Sequence, residues 1–180
     1  MYVGCAAELT FLPPHRTLVE NLLASIPSLF AHNPIGEAAM GGPIKASLLA
    51  LKNIGGQLNI FQTRLPTVGP GALKHRDEAK VQGTDKEKTL FVPQDPFYRT
   101  VAEEAVEAGI GINVFLFPSQ FIDVASLGVL AGLTGGDVFF HPRFDPVRDG
   151  LKLHSQLSRL LTRETAYSVT MRIRCSEGKH

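Results

Sequence analysis

The run Ile112-Asn113-Val114-Phe115-Leu116-Phe117 constrains the fold more than any other part of the chain. It is nearly all apolar, with no alternation that would leave one face to solvent. Such a strand belongs in the middle of a sheet covered on both faces, and that is a parallel sheet between layers of helix. Its flanks agree. Residues 97–108 carry Phe97, Val101, Ala105 and Val106 on one side and close at Gly109. Asp123 stands where it can cap a helix over 124–133, which Gly135-Gly136 ends. Val138-Phe139-Phe140 then reads as another buried strand.

The rest of the chain fits the same alternation. Leu18, Leu22, Leu23, Ile26, Leu29 and Phe30 recur at spacings of three and four, which predicts a helix with one apolar stripe. Pro27 inside that stripe predicts a kink or break near Ser25. A second helix is expected over 35–53, with Ile44, Leu48, Leu49 and Leu51 facing inward, and a strand over 58–63. Leu151, Leu153, Leu157, Leu160 and Leu161 mark a last helix, and 167–174 alternates like a half-exposed strand. Helices and strands in this order predict an α/β fold with right-handed crossovers and a mostly parallel sheet.

Residues 64–95 differ in character. A stretch dense in turn formers, Leu65 to Gly71, is followed by no period. Lys74, Arg76, Lys80, Lys86 and Lys88 then interleave with Asp77, Glu78, Asp85 and Glu87, the pattern of a solvated surface. A connection this long inside one domain is expected to be a surface loop with ordered ends and a mobile middle.

Charge and cysteine usage exclude several classes. With 180 residues the chain has room for one domain and little more. A net charge of +1 supplies no field for nucleic acid or an anionic membrane. The two cysteines, Cys5 and Cys175, form no C-x-x-C pair, so a zinc ribbon, a redox site and a disulfide scaffold are not expected. No stretch is long and apolar enough to span a bilayer, and no signal peptide follows Met1. The expectation is a soluble chain of a reducing, intracellular compartment.

The search for chemistry returns little. The six histidines show neither HxH nor H-E-x-x-H spacing. Gly69-Pro70-Gly71-Ala72-Leu73-Lys74 resembles a phosphate loop only superficially, since it lacks the G-x-x-x-x-G-K-[ST] spacing. Ser119 and Ser126 lie in no G-x-S-x-G elbow. Asp123 with Ser126 could belong to a metal-binding loop, but a helix N-cap explains the aspartate more simply. Glu103 and Glu104 are adjacent on a helix and point apart. The expectation is that the protein is no enzyme and holds no cofactor. Arg172 and Arg174 stand out: on a strand they would share one face, and two guanidinium forks make a carboxylate clamp. The plainer alternative is a solvated face opposite inward-facing Met171 and Ile173.

Five ordered stretches carry a family resemblance. They are L-P-T-V-G-P-G-A-L-K at 65–74, T-D-K-E-K-T-L-F at 84–91, F-L-F-P-S-Q-F-I-D-V-A-S-L at 115–127, L-T-G-G at 133–136 and M-R-I-R-C-S at 171–176. Together they resemble the trunk domain of the Sec23/Sec24 family of COPII coat subunits, on its cargo-adaptor branch. The resemblance spans nearly the whole chain. It implies a von Willebrand A-like α/β trunk, over 1–178, with 64–95 as a long surface loop within it.

The resemblance also implies a function. In that family the trunk pairs with the trunk of the sister subunit, and the adaptor binds acidic export signals on cargo tails. The coat forms vesicles for endoplasmic reticulum to Golgi transport, on the cytosolic face of the reticulum, with no transmembrane segment and no nucleic acid. Arg172 and Arg174 match the M-R-x-R strand that contributes to the acidic-signal pocket. The family's zinc finger, β-rich, helical and gelsolin-like regions have no counterpart here, and the first trunk strands are expected to be missing. An incomplete trunk would leave an open sheet edge and be marginally stable. The alternatives are a stand-alone von Willebrand A-type binding module, which would need a D-x-S-x-S loop that does not occur, or a degenerate paralogue.

Overall fold

A computed structural model describes residues 16–76, 78–166 and 170–175. The apolar run becomes the centre of a three-stranded sheet. The elements are helix α1 (Arg16–Phe30), strand β1 (Ala38–Ala39), α2 (Gly41–Leu51), β2 (Gly56–Gln62), β3 (Pro66–Val68) and α3 (Glu78–Val81). A 3-10 turn (Glu87–Phe91) precedes α4 (Phe97–Glu107), β4 (Ile110–Leu116), α5 (Val124–Thr134), β5 (Val138–Phe140) and α6 (Pro146–Thr162). The sheet order is β2-β4-β5, with β4 parallel to both neighbours. The β2–β4 register runs unbroken from Gly56 opposite Ile110 to Gln62 opposite Leu116. A separate parallel pair joins β1 to β3.

Alternation along β4 sends two sets of side chains in opposite directions. Ile112, Val114 and Leu116 meet Tyr98, Val101, Ala102 and Ala105 of α4 and Leu127, Leu130 and Ala131 of α5, all buried in one core. Ile44, Leu48 and Leu51 of α2 complete it. The other face is an aromatic row. Phe61, Phe115 and Phe139 lie in register on the three strands, with ring centroids 4.7 and 4.4 Å apart and nearly parallel planes. Asn113, buried among them, donates to Asn59 Oδ1 at 2.9 Å and accepts from Asp137 N at 3.0 Å. Both halves of its amide are therefore satisfied, as burial requires. α6 lies beside this row: Leu153 shares a cavity with Phe61, Phe117 and Phe144, and buried Leu160 shares one with Phe139.

The helix ends follow the expected chemistry on α5. Asp123 accepts from Ser126 N at its N-terminus, and Gly135 closes it in the left-handed conformation with φ 72°. Other expectations need correction. α2 starts at Gly41 instead of residue 35, because Ala38–Ala39 is drawn into parallel pairing with β3. Leu49, expected inside, is exposed, while its neighbours Leu48 and Leu51 are buried. α1 runs through Pro27 without a break. The segment 64–95 is not irregular throughout, since β3, α3 and the 3-10 turn all lie in it.

Candidate protein-binding surface

The predicted arginine pair lies on an open segment. Residues 170–175 form no strand, and all of 171–175 are exposed, Met171 to 79% and Ile173 to 76%. This corrects the expectation of a half-buried strand, of which 167–169 lie outside the described residues. The reason is pairing. Among the described residues no strand lies beside this segment, so its backbone has no ladder and its apolar side chains have no sheet to pack on. Arg172 and Arg174 are both exposed, and neither is engaged by a described residue. They can reach an anionic partner, but the fork is not preset by packing.

A second polar group is buried and was not foreseen. Asp123, 4% exposed, caps α5 through Oδ1, while Oδ2 accepts from Arg76 Nη2 at 2.8 Å and Nε at 3.0 Å, from Gln94 Nε2 at 2.7 Å and from Ser126 Oγ at 2.9 Å. Arg76 also donates to the carbonyls of Thr89 and Val92. An arginine read as part of a solvated charge run is thus the centre of a network, its side chain only 13% exposed. Charge alternation could not single it out, because the residue that pairs with it lies 47 positions away. The same contacts bear on the metal-loop alternative: Asp123 Oδ2 is already taken by donors. Among the described residues no cluster of His, Cys, Asp or Glu could hold a metal ion.

The remaining candidates are accounted for locally. In the phosphate-loop look-alike, Ala72 N donates to Gly69 O, Leu73 N to Pro66 O and Lys74 N to Gln94 Oε1. Those donors are used inside the protein, so the turn is not a phosphate cradle. Glu103 pairs with Arg99 and Glu104 with Lys45, in different directions.

Exposed apolar surface is the site's other component. The apolar stripe of α1 forms as the spacing predicts, yet no residue of α1 is buried. Phe61, at the open edge of the sheet on β2, is 53% exposed beside a cavity of about 440 Å³ lined by Phe117, Phe144 and Leu153. Full burial of a large apolar side chain stabilises by about 1.5–3 kcal/mol, and each of these half-exposed ones forgoes a share of that. Apolar side chains left exposed in groups suit contact with another protein.

Comparison with known proteins shows the family. Residues 9–161 match the family profile of the Sec23/Sec24 trunk domain. The chain is 45% identical over 168 residues to protein transport protein SEC24 A of Arabidopsis thaliana, covering 93% of this chain and 16% of that protein. It is 40% identical over 166 residues to human protein transport protein Sec24C, covering 91% of this chain and 15% of that one. A crystal structure of the human COPII-coat protein Sec24c superposes with a TM-score of 0.79 at 41% identity, over 82% of this chain and 20% of the other. The chain therefore spans about one sixth of the length of these curated relatives. The structural match agrees with an α/β, von Willebrand A-like trunk whose parallel sheet is flanked by helices. The chain belongs to the Sec23/Sec24 trunk domain family.

Proposed function

We propose that this chain works as the trunk of a Sec24-type cargo adaptor in the COPII coat, selecting cargo and forming vesicles for endoplasmic reticulum to Golgi transport. The observation that carries the reading is the match to the human COPII-coat protein Sec24c, at 41% identity and a TM-score of 0.79. The chemistry of the described residues fits a protein that works by binding. Its buried polar cluster is closed on itself, and its exposed features are apolar surfaces and an arginine pair.

In this reading the partners are the trunk of the sister coat subunit and acidic export signals on cargo tails, with Arg172 and Arg174 contributing to the signal pocket. The coat sits on the cytosolic face of the endoplasmic reticulum. Among the described residues no helix is long and apolar enough to cross a membrane, so attachment through protein contacts suits the fold. Capture from cell extract on the immobilised chain tests the proposal: the sister coat subunit is expected in the eluate. Its absence, where an established adaptor trunk recovers it in parallel, would count against the reading.

A further inference from the structure

The excursion between β3 and α4 is built as a strap. From Lys80 to Val92 no side chain is buried, and α3 and the 3-10 turn pack chiefly on each other. Phe91 and Val92, the apolar residues that end it, are 77% and 57% exposed. Apolar burial normally fixes a segment to its domain, and here there is almost none. What holds the strap is polar. At its neck Lys74 and Gln94 exchange two hydrogen bonds: Lys74 N donates to Gln94 Oε1 at 3.1 Å, and Gln94 Nε2 donates to Lys74 O at 2.8 Å. Gln94 also joins the neck to the body, Nε2 donating to Asp123 Oδ2 at 2.7 Å and N to Ser126 Oγ at 2.8 Å, and the His75 ring packs on Phe121 at 4.4 Å. The tie that reaches farthest is one guanidinium. Arg76 donates to the carbonyls of Thr89 and Val92 on the returning limb, and to Asp123 and Ser126 on the body of the domain.

We infer that the Arg76–Asp123 ion pair is the clasp of a strap that opens as a unit, while the sheet and helices α4 and α5 stay folded. Three observations support it. Arg76 bonds Thr89 and Val92 on the returning limb and Asp123 and Ser126 on the body through one guanidinium, so its loss releases those contacts together and leaves Gln94 as the tie between the neck and the body. The pair is largely desolvated, 13% and 3% exposed, so bulk salt screens it little. The body keeps its own supports when the strap leaves, since the α5 cap from Asp123 Oδ1 to Ser126 N and the β2–β4 ladder involve no strap residue. Opening uncovers the first turn of α5, including Ser126, which is fully buried when the strap is closed.

Limited trypsin digestion of the folded protein, read at Lys86 and Lys88, tests this alongside hydrogen exchange in β4 and α5. Cleavage of a transiently opened segment tracks its opening equilibrium when closing is fast. Arg76→Ala is expected to speed cleavage at both sites by roughly 10- to 100-fold, as befits loss of a charge-assisted pair, with β4 exchange unchanged. Arg76→Lys, which keeps the charge without the fork, is expected to fall between, and it carries the test if the alanine variant does not fold. Lys45→Ala, which removes an exposed ion pair elsewhere, is expected to digest like the wild type. Unchanged cleavage in the Arg76 variants would overturn the inference. So would faster exchange in β4 by the same factor as the strap, which would make the two a single unit.

Discussion

Two glycines four residues apart should respond to the same substitution with opposite signs. Gly136 lies against the central strand: a Cβ built there would sit 1.9 Å from Ile112 O and 2.7 Å from Ile112 C. Both are backbone atoms of β4, which is held by β2 on one side and β5 on the other. Moving the chain away by more than 1 Å (roughly what ordinary van der Waals contact needs) would break its neighbours' bonds. Asp137 N to Asn113 Oδ1 at 3.0 Å and Val114 N to Asp137 O at 2.9 Å are the nearest. Two hydrogen bonds at about 1 kcal/mol each, plus about 1–3 kcal/mol of overpacking strain, give about 3–5 kcal/mol for Gly136→Ala. At about 2–4 °C per kcal/mol for a chain of this size, Tm should fall by roughly 6–20 °C. Gly132 lies inside α5 with nothing within 4 Å of its Cβ position. There alanine should stabilise by about 0.5–1 kcal/mol through helix propensity. Urea unfolding of the two variants beside the wild type is the assay. A Gly136→Ala protein within 1 kcal/mol of the wild type (about one third of the least loss worked above) would refute the close approach of α5's end to β4, as would a destabilised Gly132→Ala.

Two further outcomes are expected. Tyr98 is buried and donates to Gly71 O at 2.6 Å; burial first, then the charges of Asp95 and Asp123, pushes its phenol well above the ordinary value of 10.0. The folded state therefore keeps the neutral form: this contribution to stability is fully present below about pH 10 and is lost as pH rises further, while the unfolded chain ionises. Tyr98→Phe should cost about 1–3 kcal/mol at neutral pH, by leaving the Gly71 carbonyl unpaired, and should show a smaller alkaline loss in urea titrations at pH 7 and pH 11; equal alkaline loss in both proteins would contradict it. Replacing Arg172 and Arg174 with alanine should weaken calorimetric binding of an acidic export-signal peptide by about 1.5–3 kcal/mol per charged hydrogen bond lost, with lysines recovering only part. Equal affinities at low salt would assign these arginines to plain surface.

Where pattern and partner coincide, the chain is legible from its residues. β4 announces itself because a strand buried on both faces must be apolar throughout, and Asp123 and Gly135 mark α5 because caps are local chemistry. The misreadings share one cause: pairing partners far along the chain. Residues 35–40 read as helix until β3 is known to lie beside Ala38–Ala39. Met171 and Ile173 read as inward-facing only if a neighbouring strand exists to receive them, and among the described residues none does. Arg76 reads as surface until the fold brings Asp123 and two carbonyls around its guanidinium. The arginine pair was visible in the sequence as a motif, whereas the exposed Phe61 edge became visible only in three dimensions, since Phe61, Phe115 and Phe139 look alike until the sheet order puts Phe115 in the centre and the other two on edge strands, of which Phe61 is the one left 53% exposed.

Whether this trunk works by contact with other proteins is tested most squarely by direct binding between purified components. The chain would be mixed with the trunk of the sister coat subunit and the mixture resolved by size exclusion with in-line light scattering. A complex whose mass is the sum of one copy of each, absent when an unrelated α/β domain replaces the chain, is the predicted result. Separate elution of two folded components at concentrations where an established Sec24-type trunk forms the complex would contradict the account.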